Sequence, residues 1–308
     1  MRPQDLVRSV AQTVLPESAS RYVEDRIRGV RFSARARAFR ARYELAPADR
    51  RLTILTYPES IATRPGILLA YLCAALGYRV TAIPSRRHDV AVKYHDATFT
   101  DPADLAPLPA GRPVINGASL DISKERVDRE VRAVFGFGSL VDPTTYRGRV
   151  VEKTNLNSRR GWTIRDAPVE ETREGFVYQR LIDSTTGDGH YIEYRVPVHD
   201  GRVPLVYRKV IDESTRFEKT TASVTIERPE DHFSADELDK VGRVCAAMGV
   251  DYGEIDVLRD RSDGLPHIID VNHTPFGRLK GLDHAGQARA YRTLAASFRQ
   301  MCESRLPS

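Results

Sequence analysis

Cysteine, lysine and long apolar runs are all scarce in this chain of 308 residues. Its three cysteines, Cys73, Cys245 and Cys302, are widely spaced in apolar contexts, which argues against a disulfide framework or a zinc site and indicates reduced thiols. The longest apolar run, Ile67 to Leu76, is too short to span a bilayer, and no signal peptide is evident. We therefore expect a globular, cytoplasmic protein without a membrane span.

The net charge is also small, and one glycine-rich motif is missing. The formal net charge is +5, too small for this length to call for a nucleic-acid partner. Arginine supplies most of the basic residues and only seven are lysine, so each lysine is a candidate for phosphate contact through its compact ammonium. The pattern Gly-x-Gly-x-x-Gly is missing after the first predicted strand, Leu52 to Thr56, so a Rossmann cofactor site is not expected.

The segment from Asp251 to Gly277 carries the most informative pattern in the chain. Two alternating apolar runs, Tyr252 to Leu258 and Pro266 to Val271, flank a polar turn rich in Asp and Gly. This arrangement predicts a β-hairpin.

The acidic residues of this hairpin predict a metal site. A turn centred on Asp263 would place Asp256 directly opposite Asp270, and side-chain alternation puts Asn272 on the same face as Asp270. Like charges opposite each other destabilise a sheet, so the pair favours a bound cation. Oxygen ligands, two of them carboxylates, suit Mg²⁺ with phosphate oxygens completing its shell. The alternative is a solvated hairpin edge, but the flanking apolar residues favour a buried sheet.

The run Ile268-Ile269-Asp270-Val271-Asn272-His273-Thr274-Pro275 resembles the metal-binding strand of the ATP-grasp superfamily. There an acidic residue and an Asn two positions later hold Mg²⁺–ATP, with an earlier Asp on the neighbouring strand, which Asp256 matches. The commoner motif has Glu where this chain has Asp270. The resemblance implies an α/β fold of ATP-grasp architecture: a small N-terminal α/β domain, an α+β lid domain, and a C-terminal domain whose antiparallel sheet carries the metal and nucleotide site.

Three upstream segments match the nucleotide-binding parts of that superfamily in the same order. Lys124 follows Ser123, a candidate helix cap, and the resemblance implies that it contacts phosphate at a helix N-terminus. Lys153 ends the predicted strand Arg149 to Lys153, and the resemblance implies contact with the α- and β-phosphates; the polar loop behind it has a single Gly161 where many members have several. The hinge that follows implies contacts to adenine and ribose from Gln179, Leu181, Ile182 and Asp183. A turn residue explains Asp183 equally well.

Basic residues that could contact the γ-phosphate or the acyl group are Arg195, Lys209 and Arg278. Arg195 and Lys209 lie on the predicted strands His190 to Val198 and Val203 to Ile211, where a solvated strand face explains them nearly as well. Peptide ligases of the D-alanine type carry an Arg two residues before the first metal Asp. Here that position is Glu254, so Arg278 is the candidate replacement.

The pattern divides the chain into four parts. We expect a basic helical N-terminal extension at residues 1–50, the α/β domain at 51–122, the lid at 123–184 and the C-terminal domain at 185–308. The extension shows apolar helical stripes broken near Pro16. We expect it to pack on the body of the protein and to leave its arginines in solvent, although such a helix can also bind a membrane surface, an acidic partner or RNA.

The resemblance implies an Mg²⁺–ATP-dependent ligase. Such an enzyme joins a small-molecule carboxylate to an amine, or to a thiol, through an acyl phosphate, and it releases ADP and phosphate. An ATP-grasp kinase and a non-catalytic module that binds nucleotides or nucleic acid are the alternatives. Two opposed carboxylates argue against the binding module, which has no evident need for them. The identities of the acid and the nucleophile stay open, as does assembly into a homodimer.

Overall fold

The computed structural model describes residues 17–64, 66–108, 111, 113–157, 161–212, 223–277 and 281–306. Within these residues, the strands form three sheets. The helices are α1 (Glu17–Tyr43), α2 (Leu68–Leu76), α3 (Lys124–Phe135), α4 (Ala235–Ala247) and α5 (His284–Glu303). The strands are β1 (Thr53–Pro58), β2 (Arg79–Thr81), β3 (Val90–Tyr94), β4 (Val114–Ile115), β5 (Gly148–Thr154), β6 (Trp162–Ala167), β7 (Phe176–Arg180), β8 (His190–His199), β9 (Val206–Asp212), β10 (Ser223–Glu227), β11 (Tyr252–Arg259) and β12 (Pro266–Asn272).

The first sheet is parallel, with the strand order β2-β1-β3-β4. Helix α2 connects β1 to β2, so these elements form the strand–helix–strand unit that the sequence predicts. The helix is apolar on nearly every side, and it ends at Gly77, whose φ of 70° suits glycine. Helix α1 packs over this unit, with Phe32 buried and Phe39 stacked on Tyr71. Docking of the basic helix is therefore confirmed; the predicted break near Pro16 lies outside the described residues.

The second sheet is antiparallel, with the order β6-β5-β7. Helix α3 precedes it and begins as predicted, because Ser123 Oγ accepts a hydrogen bond from the backbone N–H of Arg126 at 3.3 Å. Strands β5 and β7 match the sequence prediction. Strand β6 is not predicted. Its side chains are exposed or half-buried and include Arg165 and Asp166, so no alternation of buried apolar residues indicates a strand there.

The third sheet is antiparallel, with the order β10-β9-β8-β11-β12. One face enters an apolar core with α3 and α4, through residues such as Val196, Ile255 and Val257. The opposite face carries charged side chains, among them Arg195 on β8 and Asp256 on β11, which are direct partners in the register. An antiparallel sheet allows one buried and one polar face in this way.

The three sheets fall within the ranges 51–122, 123–184 and 185–308. Helix α1 shares an apolar core with α2 and α5. The division into four parts stays a prediction. In the part of the chain that the structure describes, no helix is long and apolar enough to cross a membrane. The three cysteines are buried and form no disulfide.

One ammonium group is buried inside the first sheet. Lys93 on β3 is 1% exposed, and its Nζ donates to the carbonyl of Ser119. Burial lowers the pKa of Lys93 to about 8 from its ordinary 10.5. Between these two values the native chain binds fewer protons than the unfolded chain, so this residue makes the free energy of unfolding rise with pH.

We expect Lys93→Met to remove this pH dependence. The free energy of unfolding of the wild type, measured relative to the variant by urea denaturation, should rise by on the order of 2–3 kcal/mol between pH 8 and 10.5. Lys240→Met on α4 is the matched control. A difference between wild type and Lys93→Met that stays constant across this range would contradict the assignment.

Candidate functional site

The predicted acidic pair lies on adjacent strands. β11 and β12 pair with Asp256 opposite Asp270 and with Glu254 opposite Asn272, as the hairpin pattern predicts. The side chains of Asp256 and Asp270 are 21% and 29% exposed. Two carboxylates therefore face the same partly buried space, the situation that a sheet tolerates only with compensating positive charge.

A β-bulge orients Asp270 toward this space. The register shifts after Asp256, so that Val257 pairs with Ile268 and Ile269 is left without a register partner. In a regular strand Ile268 and Asp270 would share one face. The extra residue lets Ile268 enter the apolar core while Asp270 stays on the charged face. The sequence pattern predicts the pairing of the acids but not this bulge.

Asp270 has an oxygen that lacks a hydrogen-bond partner. Its Oδ1 is buried and unpartnered among the described residues, and the nearest cation, Lys124 Nζ, lies 3.7 Å away. Burial raises the pKa of Asp270, and the charge of Asp256 adds to the effect, although Lys124 opposes it. A buried acceptor without a donor costs free energy, so this oxygen is a candidate ligand atom.

Arg195 neutralises the other carboxylate. Its Nε donates to Asp256 Oδ1 at 3.0 Å and its Nη2 to Oδ2 at 3.3 Å, and Nε also lies 3.7 Å from Glu254 Oε2. Burial acts to raise the pKa of Asp256, but Arg195 and then Lys209 hold it below its ordinary value. Burial raises the pKa of Glu254 to about 7.

Lys124 enters the site from the first turn of α3. Its Nζ donates to the carbonyl of Leu156 at 2.9 Å and points toward Asp270. The first three backbone N–H groups of this helix already donate within the chain, to Asn155 O, Asn155 Oδ1 and Ser123 Oγ. A phosphate here would therefore meet the ammonium and the positive end of the helix dipole.

Lys153 enters from β5 of the second sheet. Its Nζ donates to Gln179 Oε1 at 2.8 Å and to the carbonyl of Ile269, the bulge residue, at 3.2 Å. Gln179 Nε2 donates in turn to Ser139 Oγ at 2.6 Å, which fixes the orientation of its amide. Burial lowers the pKa of Lys153 to about 8. An anionic ligand would restore the preference of this ammonium for its charged form.

The polar loop after β5 joins three parts of the molecule. Asn155 Oδ1 accepts from the N–H of Glu125 in α3 at 3.1 Å. Asn157 links the loop to two other segments. Its N–H donates to Thr98 Oγ1 at 2.7 Å, and its Nδ2 donates to the carbonyl of Val271 at 3.3 Å. Residues 158–160 of this loop lie outside the described residues.

The hinge residues that follow Gln179 bond to groups other than the acidic pair. The N–H of Leu181 donates to the carbonyl of Arg149 at 2.9 Å, and Ile182 is buried. Asp183 is exposed, and its Oδ1 accepts from the N–H and the hydroxyl of Thr185 at 3.0 and 2.6 Å, which lowers its pKa. Asp183 is thus a turn residue in this structure, and the adenine and ribose contacts stay a prediction.

The remaining two candidate basic residues differ in position. Lys209 on β9 forms an ion pair with Glu193 on β8 and does not touch the acidic pair directly. Its charge nevertheless helps to hold the pKa of Asp256 low. Arg278 lies outside the described residues.

The chemistry of the donor set fits Mg²⁺. Asp256 and Asp270 supply carboxylate oxygens, and one of these, Asp270 Oδ1, lacks a donor. Asn272 Oδ1 accepts from the N–H of Thr274 at 2.8 Å. The Thr274 hydroxyl has a single proton and lies 3.0 Å from Asp96 Oδ1 and 3.2 Å from Asn272 Oδ1, so donation to Asp96 leaves the amide oxygen a lone pair for a cation.

A second acidic group is not assigned a metal. Asp260, Asp263 and His267 converge near the β11–β12 turn. Arg180 lies among them: its Nη1 donates to Asp260 Oδ2 at 2.7 Å, and its Nη2 lies 2.7 Å from His267 Nε2. The guanidinium already provides the positive charge that this group requires.

Sequence reasoning missed several residues that support the site. Ser139 orients Gln179, Thr98 holds the polar loop, and Thr274 links Asn272 to the first sheet. All three act through contacts between distant segments. The only local signal is the position of Thr274, two residues beyond Asn272.

We expect Asp270→Asn to raise the free energy of unfolding, or leave it level, without metal. The change removes a charge that burial and Asp256 disfavour. Saturating Mg²⁺ and ATP should stabilise the wild type, by ~2.7 kcal/mol at a hundred times the dissociation constant, and should stabilise this variant much less. Urea denaturation with and without both ligands measures this, and Asp239→Asn on α4 is the control. Equal stabilisation of wild type and Asp270→Asn would remove Asp270 from the ligand set.

Comparison with solved structures gives the fold. No family model matches the sequence, and no curated protein matches it. The ATP-grasp ligase PsnB, complexed with precursor peptide PsnA2 and AMPPNP, aligns with a TM-score of 0.50 and 13% identity over 79% of this chain and 98% of that one. The RimK domain protein ATP-grasp from Sphaerobacter thermophilus aligns with a TM-score of 0.47 and 14% identity over 84% of this chain and 100% of that one. The D-alanine–D-alanine ligase of Bacillus anthracis complexed with ATP aligns with a TM-score of 0.47 and 16% identity, over 82% and 96%. The PsnB alignment, together with the sheet order and the position of the acidic pair, shows that this chain has the ATP-grasp fold.

Proposed function

We propose that the protein is an Mg²⁺–ATP-dependent ligase that joins a carboxylate to an amine. The observation that carries this proposal is the convergence of Lys124 and Lys153, from the lid region, on the opposed carboxylates Asp256 and Asp270. Carboxylates suit a divalent cation and ammonium groups suit phosphate, so the site has the charge pattern of Mg²⁺–ATP. The resemblance in fold to PsnB, an ATP-grasp ligase complexed with AMPPNP, supports the same function.

The lid residues would bind the phosphate chain of ATP. Lys153 is held by Gln179 against the bulge of β12, and Lys124 lies at the helix end that favours anions. Gln179 thus acts as a positioning residue for Lys153 in addition to its predicted place in the hinge. Leu181, Ile182 and Asp183 are proposed to lie beside the adenosine.

Asp256, Asp270 and Asn272 would hold Mg²⁺. When bound, the ion neutralises phosphate charge and acts as a Lewis acid toward phosphoryl oxygens. Arg195 would then face the γ-phosphate, because it lies on the same sheet face as the acidic pair. Lys209 and Arg278 are proposed to add positive charge at the acyl group.

The reaction that this arrangement supports has two steps. A carboxylate oxygen of the acid attacks the γ-phosphorus of ATP, and the bond from this phosphorus to the β-phosphate oxygen breaks. ADP leaves, and an acyl phosphate has formed. The nitrogen of the amine then attacks the acyl carbon, the carbon–oxygen bond to phosphate breaks, and the amine loses a proton as the amide forms. The chain's work is to hold the reactants in line and to keep water from the acyl phosphate.

The four-part division and the cytoplasmic location belong to the same proposal, and assembly into a homodimer stays open. The sheets that fall within the ranges 51–122, 123–184 and 185–308 support the division. The modest net charge supports small-molecule substrates in preference to nucleic acid.

We expect Lys153→Met to weaken Mg²⁺–ATP binding by about tenfold or more, because one charge-assisted phosphate contact contributes ~1.5–3 kcal/mol. Isothermal titration calorimetry resolves a loss of this size. Lys240→Met makes the same chemical change on α4, where the lysine pairs with Asp236, and it should bind as the wild type does. Equal affinities for the two variants would exclude Lys153 from the nucleotide site.

A hydroxylamine trap distinguishes a ligase from a kinase. With candidate acids present and the amine withheld, hydroxylamine should intercept the acyl phosphate as a hydroxamate. Its formation should require ATP and Mg²⁺ and be abolished in Asp270→Asn, whose fold is checked by its unfolding curve. A stable phosphorylated alcohol, with neither hydroxamate nor free phosphate, would identify a kinase and leave the fold assignment intact.

A further inference from the structure

A cavity of about 300 Å³ lies beside the proposed metal strand. It is lined by Tyr94 and Asp96 at the end of β3, by Arg64 and Ile67 before α2, and by Phe276 after β12, with two threonines completing the wall. It therefore opens at the carboxyl ends of parallel strands, where α/β sheets bind ligands. Its volume is at the lower end of the range for small-molecule pockets.

One wall of this cavity is shared with the metal site. The hydroxyl of Thr274 donates to Asp96 Oδ1 at 3.0 Å, and the N–H of Thr274 donates to Asn272 Oδ1 at 2.8 Å. A single residue thus separates a cavity carboxylate from a proposed metal ligand. A substrate in the cavity would lie next to the reacting phosphate.

The wall is fixed to the first sheet's helix. The N–H of Leu68 donates to the carbonyl of Pro275 at 2.9 Å, and the N–H of Gly277 donates to the carbonyl of Gly66 at 2.8 Å. A Cβ at Gly277 would lie 2.2 Å from Tyr71, so only glycine permits this approach. Phe276, between these two anchors, is held at the cavity with 64% of its surface exposed.

The charges of the cavity favour a cation. Arg64 lies 2.6 Å from Glu59 Oε2 and 3.6 Å from Asp96 Oδ2, and Glu59 Oε1 accepts from the N–H of Asp96 at 3.0 Å. Among the residues that the structure describes, two carboxylates, Asp96 in the cavity lining and Glu59 outside it, therefore share the guanidinium of Arg64, which is engaged mainly with Glu59. The Asp96 side chain is 46% exposed and has the looser contact, so it is the group that an added ammonium can pair with. An added anion would have to displace Glu59 from Arg64.

We propose that this cavity binds the amine substrate, and that this substrate is a small primary amine with an apolar body. Its ammonium pairs with Asp96, and its body covers Phe276 and contacts Ile67 and Tyr94. Removing the exposed phenyl ring of Phe276 from water stabilises the complex. This assignment rests on the proposed ligase function, because it gives the cavity to the nucleophile of that reaction.

The test compares two probes that share an apolar body and carry head groups of opposite charge. Calorimetric titration of the full chain without ATP uses 2-phenylethylamine and 3-phenylpropionate, which share a phenylethyl body. We expect the amine to bind in the millimolar range and the acid to bind more weakly. Tighter binding of the acid, or no binding of the amine, would overturn the proposal without any variant being needed.

Variants assign the binding to this cavity. Asp96→Asn retains the oxygen that accepts from Thr274 but removes the charge, and we expect it to weaken binding of the amine about two- to fivefold, as suits a half-exposed ion pair. Phe276→Ala should weaken it as well. The matched controls, Asp104→Asn and Phe99→Ala, change exposed residues outside the cavity, and they should bind as the wild type does. Unchanged affinity in both Asp96→Asn and Phe276→Ala would overturn the assignment.

These outcomes are separable from the ligase test. Probe binding needs no ATP, whereas the hydroxamate assay uses hydroxylamine, which needs no apolar pocket. Hydroxamate without amine binding would leave the ligase and refute the cavity assignment. Amine binding without hydroxamate would refute the ligase and leave an amine site.

Discussion

Two carboxylates on neighbouring strands, Asp256 and Asp270, are the constraint on which the site depends. Directly paired residues hold their Cβ atoms about 4.5–5.5 Å apart, so their charges repel strongly in a partly buried sheet. Three separate elements place basic side chains near this pair: β8 contributes Arg195, α3 contributes Lys124 and β5 contributes Lys153. Lys124 and Lys153 therefore bring positive charge from α3 and from the second sheet to the third sheet.

The groups of the site are incompletely satisfied in complementary ways. Asp270 has an oxygen without a donor, and Lys153 is an ammonium whose charge is disfavoured by burial. A divalent cation would compensate the first group and a phosphate chain the second. Either ligand alone would leave the other group unsatisfied, so joint binding of a divalent cation and a phosphate chain would be favoured over separate binding.

Local pattern determines what the sequence reveals about this site. Alternation along β11 and β12 predicts that Asp256 faces Asp270, because pairing through a short turn depends only on neighbouring residues. The bulge at Ile269 is not visible in that alternation, yet it lets Ile268 be buried while Asp270 stays on the charged face with Asp256. Composition gives no warning of this inserted residue, because Ile269 is as apolar as Ile268 before it.

Contacts between distant segments explain the other differences. Gln179 is predicted as a hinge residue, but its side chain holds Lys153, a relation set by the pairing of β5 with β7. Likewise, Asp96 and Thr274 meet only because the loop after β12 is anchored to α2. The order of elements, by contrast, is largely predictable, since caps such as Ser123 and apolar periods are local signals.

Glu254 gives Arg195 a second partner within the same face. The guanidinium lies between Asp256 and Glu254, at 3.0 and 3.7 Å. A cation that takes the oxygens of Asp256 would otherwise leave a buried guanidinium uncompensated, at a cost of several kcal/mol. With Glu254 retained as its partner, Arg195 keeps a counter-charge while its donors become available to an anion. The positive charge on this face is therefore supplied from β8, by Arg195, while β11 contributes the two carboxylates beside it.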